Sequence, residues 1–316
     1  MSTFPIRPGF VGIDDYLSLE RNAETFLLQP LIPTSGAALL YGNPKTGKSW
    51  MGLQLALALT GQLPDFLGFH VPQPGRVLYL QLDTPREVWA NRVDEMIHKY
   101  KVKYDSTLLK LADRESIDHF PFDILQPLHM KYLHDEVRRH GATTVIVDTL
   151  REVHSGDEDS STTSRNVIAN LVGATHPSAL ILISHDRKPN PDRDKDIMAD
   201  HRGSSYIVGR MDAIMRLTKT RLYYAGRSIE SGDIKLVRQE NGMWAPQPDE
   251  TDEALRRVYL DQSIPTLRAK ARLLAPILKT TEEAAMSRLR RLGHTILPPL
   301  GTEGNEINIS DYQEVL

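Results

Sequence analysis

The sequence predicts an α/β protein with a mostly parallel central sheet, followed by a small C-terminal domain. Between residues 36 and 240, short apolar runs alternate with helical stretches, which is typical of parallel α/β folds. Several runs are almost continuously apolar, as strands buried on both faces are. Past residue 255 the composition changes to helical segments rich in Arg, Leu and Ala. We therefore expect an N-terminal extension (1–35), an α/β domain (36–240), a linker (241–255) and a winged-helix-like domain (256–316).

Composition sets limits on what the protein contacts. The chain has 316 residues, with 38 Lys and Arg against 41 Asp and Glu, so its formal net charge of −3 gives no global attraction for a polyanion. The absence of Cys excludes disulfides and Cys-based zinc sites and is consistent with a cytoplasmic protein. The first residues lack the pattern of an export signal, and no stretch approaches 18 apolar residues. We expect neither export nor a membrane partner.

The predicted elements follow in chain order. A short helix is expected at about residues 14–24. The strands are expected at 37–41, 76–82, 144–148, 180–184 and 212–217, with a hairpin within 221–239. The charged stretch 185–202 contains two prolines and predicts a long surface loop. Two helices, at about 266–278 and 280–292, precede a hairpin-like wing at 295–309.

A phosphate-binding loop lies between the first strand and the first long helix. The sequence there fits G-x-x-x-x-G-K-[ST], whose backbone N–H groups surround phosphates at a helix N-terminus. Lys48 would contact the β and γ phosphates of ATP, and Ser49 would hold Mg²⁺. The candidate cofactor-binding residues are Gly42, Asn43, Pro44, Lys45, Thr46, Gly47, Lys48, Ser49 and Trp50.

Acidic residues follow two other predicted strands. Asp148 ends the strand 144–148 and is the candidate second Mg²⁺ ligand, since a carboxylate at the carboxyl end of a parallel strand faces the phosphate loop. The next residue is Thr149, so the catalytic base must come from elsewhere. Asp83, after the strand 76–82, is the candidate for activating water; the alternative is a turn-forming role before Pro85.

A histidine follows the strand 180–184. His185 is placed to detect the γ-phosphate, because the carboxyl ends of three predicted strands converge on one edge of the sheet. A purely structural histidine is the alternative.

These motifs together resemble the RecA-superfamily ATPases of the hexameric replicative-helicase branch. The likeness is greatest to RepA-type plasmid helicases and their relatives in mobile elements, and it covers roughly residues 36–240. The matching stretches are the phosphate loop, Val77–Pro85, Val145–Thr149, Ile183–His185 with Lys188, and Arg202–Ser205 before Asp212–Leu217.

The resemblance implies a RecA-like fold, ATP and Mg²⁺ as cofactors, DNA as partner and a homo-oligomer, in particular a hexamer. It also implies an arginine finger that reaches the γ-phosphate of a neighbouring subunit. Arg227 matches the finger, and Arg216 is the second candidate; a solvated surface arginine is the alternative. The sequence departs from the family at Asp83, where a Glu is usual, and this predicts slow hydrolysis.

Contact with DNA is expected from loops and from the C-terminal region. The loop 151–164 is acidic, and the loop 186–202 carries five basic and five acidic residues, which favours weak binding of single-stranded DNA. Residues 256–291 carry nine basic against three acidic residues, which favours a winged-helix domain on duplex DNA over a protein-docking helix pair.

The sequence thus favours an ATP-driven replicative DNA helicase of a plasmid, phage or mobile element. Two alternatives stay open. One is an ATP-dependent loader or recombination factor, and the other is a winged-helix DNA-binding regulator that ATP switches.

Overall fold

The computed structural model describes residues 12–14, 25–100, 102–117, 121–157, 160–185, 205–247, 258–259, 263–264, 266–278, 280–286 and 289. The chain divides into two compact units, residues 1–247 and 248–316. Each unit is described by itself. The predicted N-terminal helix, the loop 186–202 and the wing lie almost wholly outside the described residues.

A nine-stranded sheet forms the centre of the first unit. Its strand order is β11-β10-β9-β8-β3-β7-β6-β4-β5. The six strands from β8 to β5 in this order are parallel, and β9, β10 and β11 add antiparallel strands at one edge. The strands are β3 (Ala37–Gly42), β4 (Val77–Gln81), β5 (Leu109–Asp113), β6 (Thr144–Asp148), β7 (Ala179–His185), β8 (Ala213–Leu217), β9 (Arg221–Gly226), β10 (Gly232–Arg238) and β11 (Trp244–Pro246).

Helices cover both faces of this sheet because its inner strands are apolar on both sides. One face packs against α1 (Lys48–Leu59) and α2 (Arg86–Tyr100). The other packs against α3 (Pro127–His140), α4 (Ser161–Thr175) and α5 (Ser205–Arg210). The fold is therefore a three-layer α/β/α arrangement, and α1 lies on the face that carries the side chain of Asp148.

Most of the predicted architecture is confirmed. Each of the five predicted strands is present with bounds within one residue of the expected ones, and β9 and β10 form the predicted hairpin. The loop after β6 is shorter than expected, because Ser160 caps α4 by accepting a hydrogen bond from the backbone N of Thr163 at 3.3 Å.

Two parts of the sheet region differ from the prediction. The expected extension contains a short antiparallel ribbon of β1 (Phe26–Leu28) and β2 (Ile32–Pro33), and Leu28 and Ile32 are buried in the core of the first unit. The expected linker begins with β11, which pairs with β10. The prolines that suggested a linker are tolerated here because β11 is an edge strand.

The second unit contains a capped helix and part of another. α6 (Leu267–Ile277) begins after Thr266, whose hydroxyl accepts from the backbone N of Ala269 at 3.2 Å, as the sequence predicts. Thr281, and not Thr280 as expected, caps the following helix by accepting from the N of Ala284 at 3.2 Å. Their apolar sides form a small core that contains Ala271, Leu274, Ala275, Ala285 and Leu289.

Across the described residues of both units, no helix combines the length and the apolar character that a membrane crossing requires.

Candidate nucleotide-binding site

The loop between β3 and α1 has the backbone geometry that its glycines predict. Gly47 adopts φ 95° and Lys45 φ 65°, both in the left-handed region. Gly42 ends β3 so close to β8 that a Cβ on it would lie 2.2 Å from the carbonyl oxygen of Leu217. These two glycines therefore set the path by which the chain turns from the sheet into α1.

The N-terminus of α1 is free to bind an anion. Gly47 is the N-cap residue, it provides no side-chain cap, and the first turn of the helix contains no acidic residue. The first N–H groups of a helix carry a partial positive charge and need acceptors from outside the helix. A phosphate group fits this position.

Lys48 is buried beside the candidate sensor histidine. Its Nζ donates to the carbonyl oxygens of Gly42 and Asn43, at 3.0 Å each, and lies 3.2 Å from Nδ1 of His185. Because an ammonium group can only donate, Nδ1 of His185 accepts, and a neutral ring then carries its proton on Nε2. The register agrees, since Gly42 lies opposite His185 in the β3–β7 pair.

Asp148 ends β6 with its carboxylate fully buried. Its Oδ2 accepts from the Tyr79 hydroxyl at 2.9 Å and from Gln81 Nε2 at 2.8 Å. Within the described part of the chain, its Oδ1 is buried without a hydrogen-bond partner. Burial raises the pKa of this carboxyl to about 6, against the favourable effects of the Ser49 hydroxyl, Tyr79 and Lys48. A buried carboxylate oxygen without a partner, beside Ser49, fits a Mg²⁺ site.

Asp83 lies two residues beyond the end of β4. Its side chain is exposed, and its backbone N donates to Oε1 of Gln81 at 2.8 Å. The charge of Asp83 helps to raise the pKa of Asp148, so the two carboxylates lie near each other. The turn-forming alternative and the base are thus compatible, because the turn holds the backbone while the carboxylate stays open to solvent.

Tyr79 and Gln81 are site residues that the sequence analysis missed. Both lie on β4, two residues apart, and therefore on the same face of the sheet as Asp148. Burial, and then the neighbouring Asp148, raise the pKa of Tyr79 well above its usual value, so its hydroxyl remains a donor. The available signal was a glutamine inside an otherwise apolar buried strand, since such a group needs hydrogen-bond partners.

A cleft opens beside the first turn of α1. The guanidinium of Arg238 lies over the indole of Trp50, 5.0 Å from the ring centroid. The cleft has a volume of about 330 Å³, at the small end of the usual range for ligand pockets. Its lining residues are Trp50, Glu95, Arg238, Gln239, Glu240 and Gly242.

The two candidate finger arginines lie at opposite ends of the sheet. Arg216 is opposite Tyr41 in the β3–β8 pair, next to the phosphate loop. Arg227 follows β9 at the other end, where its backbone N donates to the Asp212 carbonyl and its side chain, 64% exposed, forms a 3.1 Å ion pair with Asp212. Five residues of β8 separate Asp212 from Leu217 beside the loop, about 17 Å at the usual rise of a strand. Arg227 is therefore not part of its own subunit's phosphate site.

Gly42→Ala is expected to lower the Tm and to weaken nucleotide binding at least about tenfold. The new methyl group would force β3 and β8 apart, and overpacking of this kind costs about 1–3 kcal/mol. Thermal unfolding and titration with a fluorescent ATP analogue measure the two effects.

Gly173→Ala is the matched control for Gly42→Ala. Gly173 is exposed on α4, and a Cβ there would meet no atom within 4 Å. Alanine in a helix should then raise stability by about 0.5–1 kcal/mol and leave binding unchanged. A Gly42→Ala protein that binds nucleotide and unfolds like the wild type would show that the close approach to Leu217 is not required.

Comparisons with known proteins agree with this geometry. A solved helicase ATPase domain is 14% identical and superposes with a TM-score of 0.50 over 68% of this chain and 86% of that chain. A KaiC-like protein from the hyperthermophilic archaeon Pyrococcus horikoshii OT3 is 11% identical, with a TM-score of 0.48 over 70% of this chain and 94% of that chain. No curated protein gave a significant match.

A family model matches more than half of the chain. The AAA_25 model, described as an AAA domain, aligns with residues 5–191, a range that contains the phosphate loop, Asp83, Asp148 and His185. The chain therefore belongs to the AAA_25 family of AAA domains, and it is a RecA-superfamily P-loop ATPase that resembles the replicative helicases.

Proposed function

We propose that this protein hydrolyses ATP with Mg²⁺ as a subunit of a homohexamer that acts on DNA, as a replicative helicase of a plasmid, phage or mobile element. The observation that carries the proposal is the convergence of three strand ends beside the phosphate loop. Lys48 lies 3.2 Å from His185 there, and the buried Asp148 presents an unpaired oxygen beside Ser49.

Each of these residues has a role in the proposed hydrolysis. Lys48 and the N–H groups of α1 bind the phosphates, and Ser49 and Asp148 would hold Mg²⁺. When bound, Mg²⁺ neutralises charge on the phosphoryl group that is transferred. Asp83 orients the attacking water, and His185 responds to the γ-phosphate. The cleft beside Trp50 has room for the base of the nucleotide.

The proposal is tested by measuring the ATPase rate and the native mass with and without single-stranded DNA, together with strand displacement on a forked duplex. Mg²⁺-dependent turnover, a hexamer and unwinding are expected, and Lys48→Ala should abolish turnover. Stimulation by DNA without unwinding would instead favour a loader. Sequence-specific duplex binding that is lost on deletion of residues 256–316 would favour a regulator. Absence of ATP hydrolysis would contradict the proposal as a whole.

The oligomer makes a specific prediction about Arg227. Because this side chain lies far from its own phosphate loop, we assign it to the site of the adjacent subunit. Lys48→Ala and Arg227→Ala should each be inactive, but random mixing of the two should restore activity. In about a quarter of the subunit interfaces an intact loop then meets an intact finger. The measurement is the ATPase rate as a function of the mixing ratio.

A second mixture controls this complementation experiment. Lys48 and Asp148 belong to the same site, so mixing Lys48→Ala with Asp148→Asn leaves every site defective and should restore nothing. If the Lys48→Ala and Arg227→Ala mixture also stays inactive while subunits are shown to exchange, Arg227 does not act across the interface. Arg216 is then the next residue to test.

A further inference from the structure

Gln81 occupies the position that joins the two acidic residues of the site. It is the last residue of β4, lies opposite Asp148 in the β4–β6 pair and is 0% exposed. The chain leaves the sheet immediately after it, and Asp83 follows two residues later. A polar side chain at such a buried strand end is retained only where its hydrogen bonds are satisfied.

Both ends of the Gln81 amide are fully engaged. Nε2 donates to Oδ2 of Asp148 at 2.8 Å, and Oε1 accepts from the backbone N atoms of Asp83 and Thr84, at 2.8 Å each. The orientation of the amide follows from chemistry, since a carboxylate only accepts and a backbone N–H only donates. One side chain therefore connects the candidate Mg²⁺ ligand to the backbone of the candidate base.

The Asp83 carboxylate depends on this backbone anchor for its position. Its side chain extends into solvent, so burial does not orient it. The neighbouring backbone is tied to the same strand end, because the N of Leu82 donates to the carbonyl oxygen of Asp148 at 2.6 Å. The Gln81 bridge extends this connection by two residues, to Asp83 and the buried Thr84.

We propose that Gln81 is a positioning residue for ATP hydrolysis, which fixes the Asp83 carboxylate relative to Asp148. This inference rests on the proposed function, in which Asp83 orients the attacking water. It acts on the rate of the chemical step rather than on nucleotide binding, because neither end of the amide contacts the phosphate loop. A displacement of about 1 Å in such a group lowers a rate by about a hundredfold.

Gln81→Met tests this role because methionine keeps the length of the side chain and removes all three hydrogen bonds. We expect kcat to fall about 10–100-fold while the Kd for a fluorescent ATP analogue changes less than about threefold. Gln81→Asn keeps the amide but is about 1.5 Å shorter, so it cannot span both partners and should show the same pattern. If Gln81→Met does not fold, Gln81→Asn carries the test.

Ser178→Ala is the matched control. Ser178 is also a buried polar residue, and its Oγ donates to the carbonyl oxygen of Ala142 at 2.7 Å. It precedes β7 at the end of the sheet opposite the site, so its loss should affect stability without changing kcat. A fall in kcat for Ser178→Ala equal to that for Gln81→Met would mean that general destabilisation explains the effect and would overturn the proposal.

A double-mutant cycle with Asp83 distinguishes positioning from structural support. If Gln81 acts through Asp83, then Gln81→Met should cost little further rate once Asp83→Asn is present, as measured by single-turnover hydrolysis. Additive losses would overturn the proposal, as would a Gln81→Met protein with wild-type kcat. A wild type that does not hydrolyse ATP would contradict the proposed function itself, and the two failures are thus distinguishable.

Discussion

Replacing Asp148 with asparagine is expected to abolish ATP hydrolysis and, at neutral pH, to relieve a cost in the free energy of unfolding of the nucleotide-free protein. The carboxyl is fully buried, and burial raises its pKa from the ordinary 3.8 to about 6. A shift of about two pKa units corresponds to a stability difference on the order of 3 kcal/mol between the protonated and ionised forms.

The sign of the pH dependence follows from the raised pKa. As pH rises above about 4, the unfolded chain loses this proton first, and the folded protein keeps it until about pH 6. The stabilising contribution of the protonated carboxyl is present below pH 4 and is lost as pH rises through 6. Asparagine does not titrate, so the stability of Asp148→Asn relative to wild type should increase by on the order of 3 kcal/mol between pH 4 and pH 7.

Urea unfolding in EDTA, followed by tryptophan fluorescence, measures this difference in the first unit, because Trp50, Trp89 and Trp244 all lie within residues 1–247. The cost of leaving the new amide N–H₂ without a partner is independent of pH, and the change with pH therefore isolates the charge. A difference that stays constant from pH 4 to pH 7 would show that Asp148 titrates normally.

Asp123→Asn provides a control of opposite sign. Burial raises the pKa of Asp123, but the Ser155 hydroxyl and the backbone N of Leu125 donate to its carboxylate and bring the pKa below the ordinary value. Its contribution to stability is present at neutral pH and is lost as pH falls below about 4. Asp123→Asn should thus destabilise the protein at pH 7 and approach wild type in acid.

The parallel strands were predictable because burial on both faces leaves an unmistakable apolar pattern. β6 (Thr144–Asp148) is buried at every residue, and its predicted bounds are confirmed. β5 was missed because it is the edge strand next to β4, and its partly exposed residues include Lys110 and Asp113. Its place in the sheet depends on pairing with β4, which no local pattern in the sequence encodes.

The convergence of strand ends could also be anticipated, since parallel strands present their carboxyl ends at one edge. Gly42, Asp148 and His185 indeed meet there. The hydrogen bonds of Gln81 could not be anticipated. They depend on the register that sets Gln81 opposite Asp148, and a shift of one residue would turn the amide to the other face of the sheet.

Asp83→Glu is expected to raise kcat about 10–100-fold without changing nucleotide affinity. The family that the chain resembles usually has Glu at this position, and the shorter aspartate withdraws its carboxylate by about 1.5 Å. The Asp83 side chain is exposed, so glutamate can extend without a clash, and its backbone N stays anchored by Gln81. Steady-state and single-turnover hydrolysis with saturating Mg²⁺ measure the gain.

Asp83→Gln separates reach from charge, because glutamine has the same length as glutamate but cannot act as a base. It should fall below wild type while Asp83→Glu rises above it. If both variants fall, the position is optimised for aspartate and short reach does not limit the rate. If the gain appears, the natural residue holds hydrolysis slow in a site whose other groups are complete. A slow step of this kind prolongs the ATP-bound state, which suits a nucleotide-dependent switch better than a fast translocating motor, and comparing strand displacement by wild type and Asp83→Glu then tells the two apart.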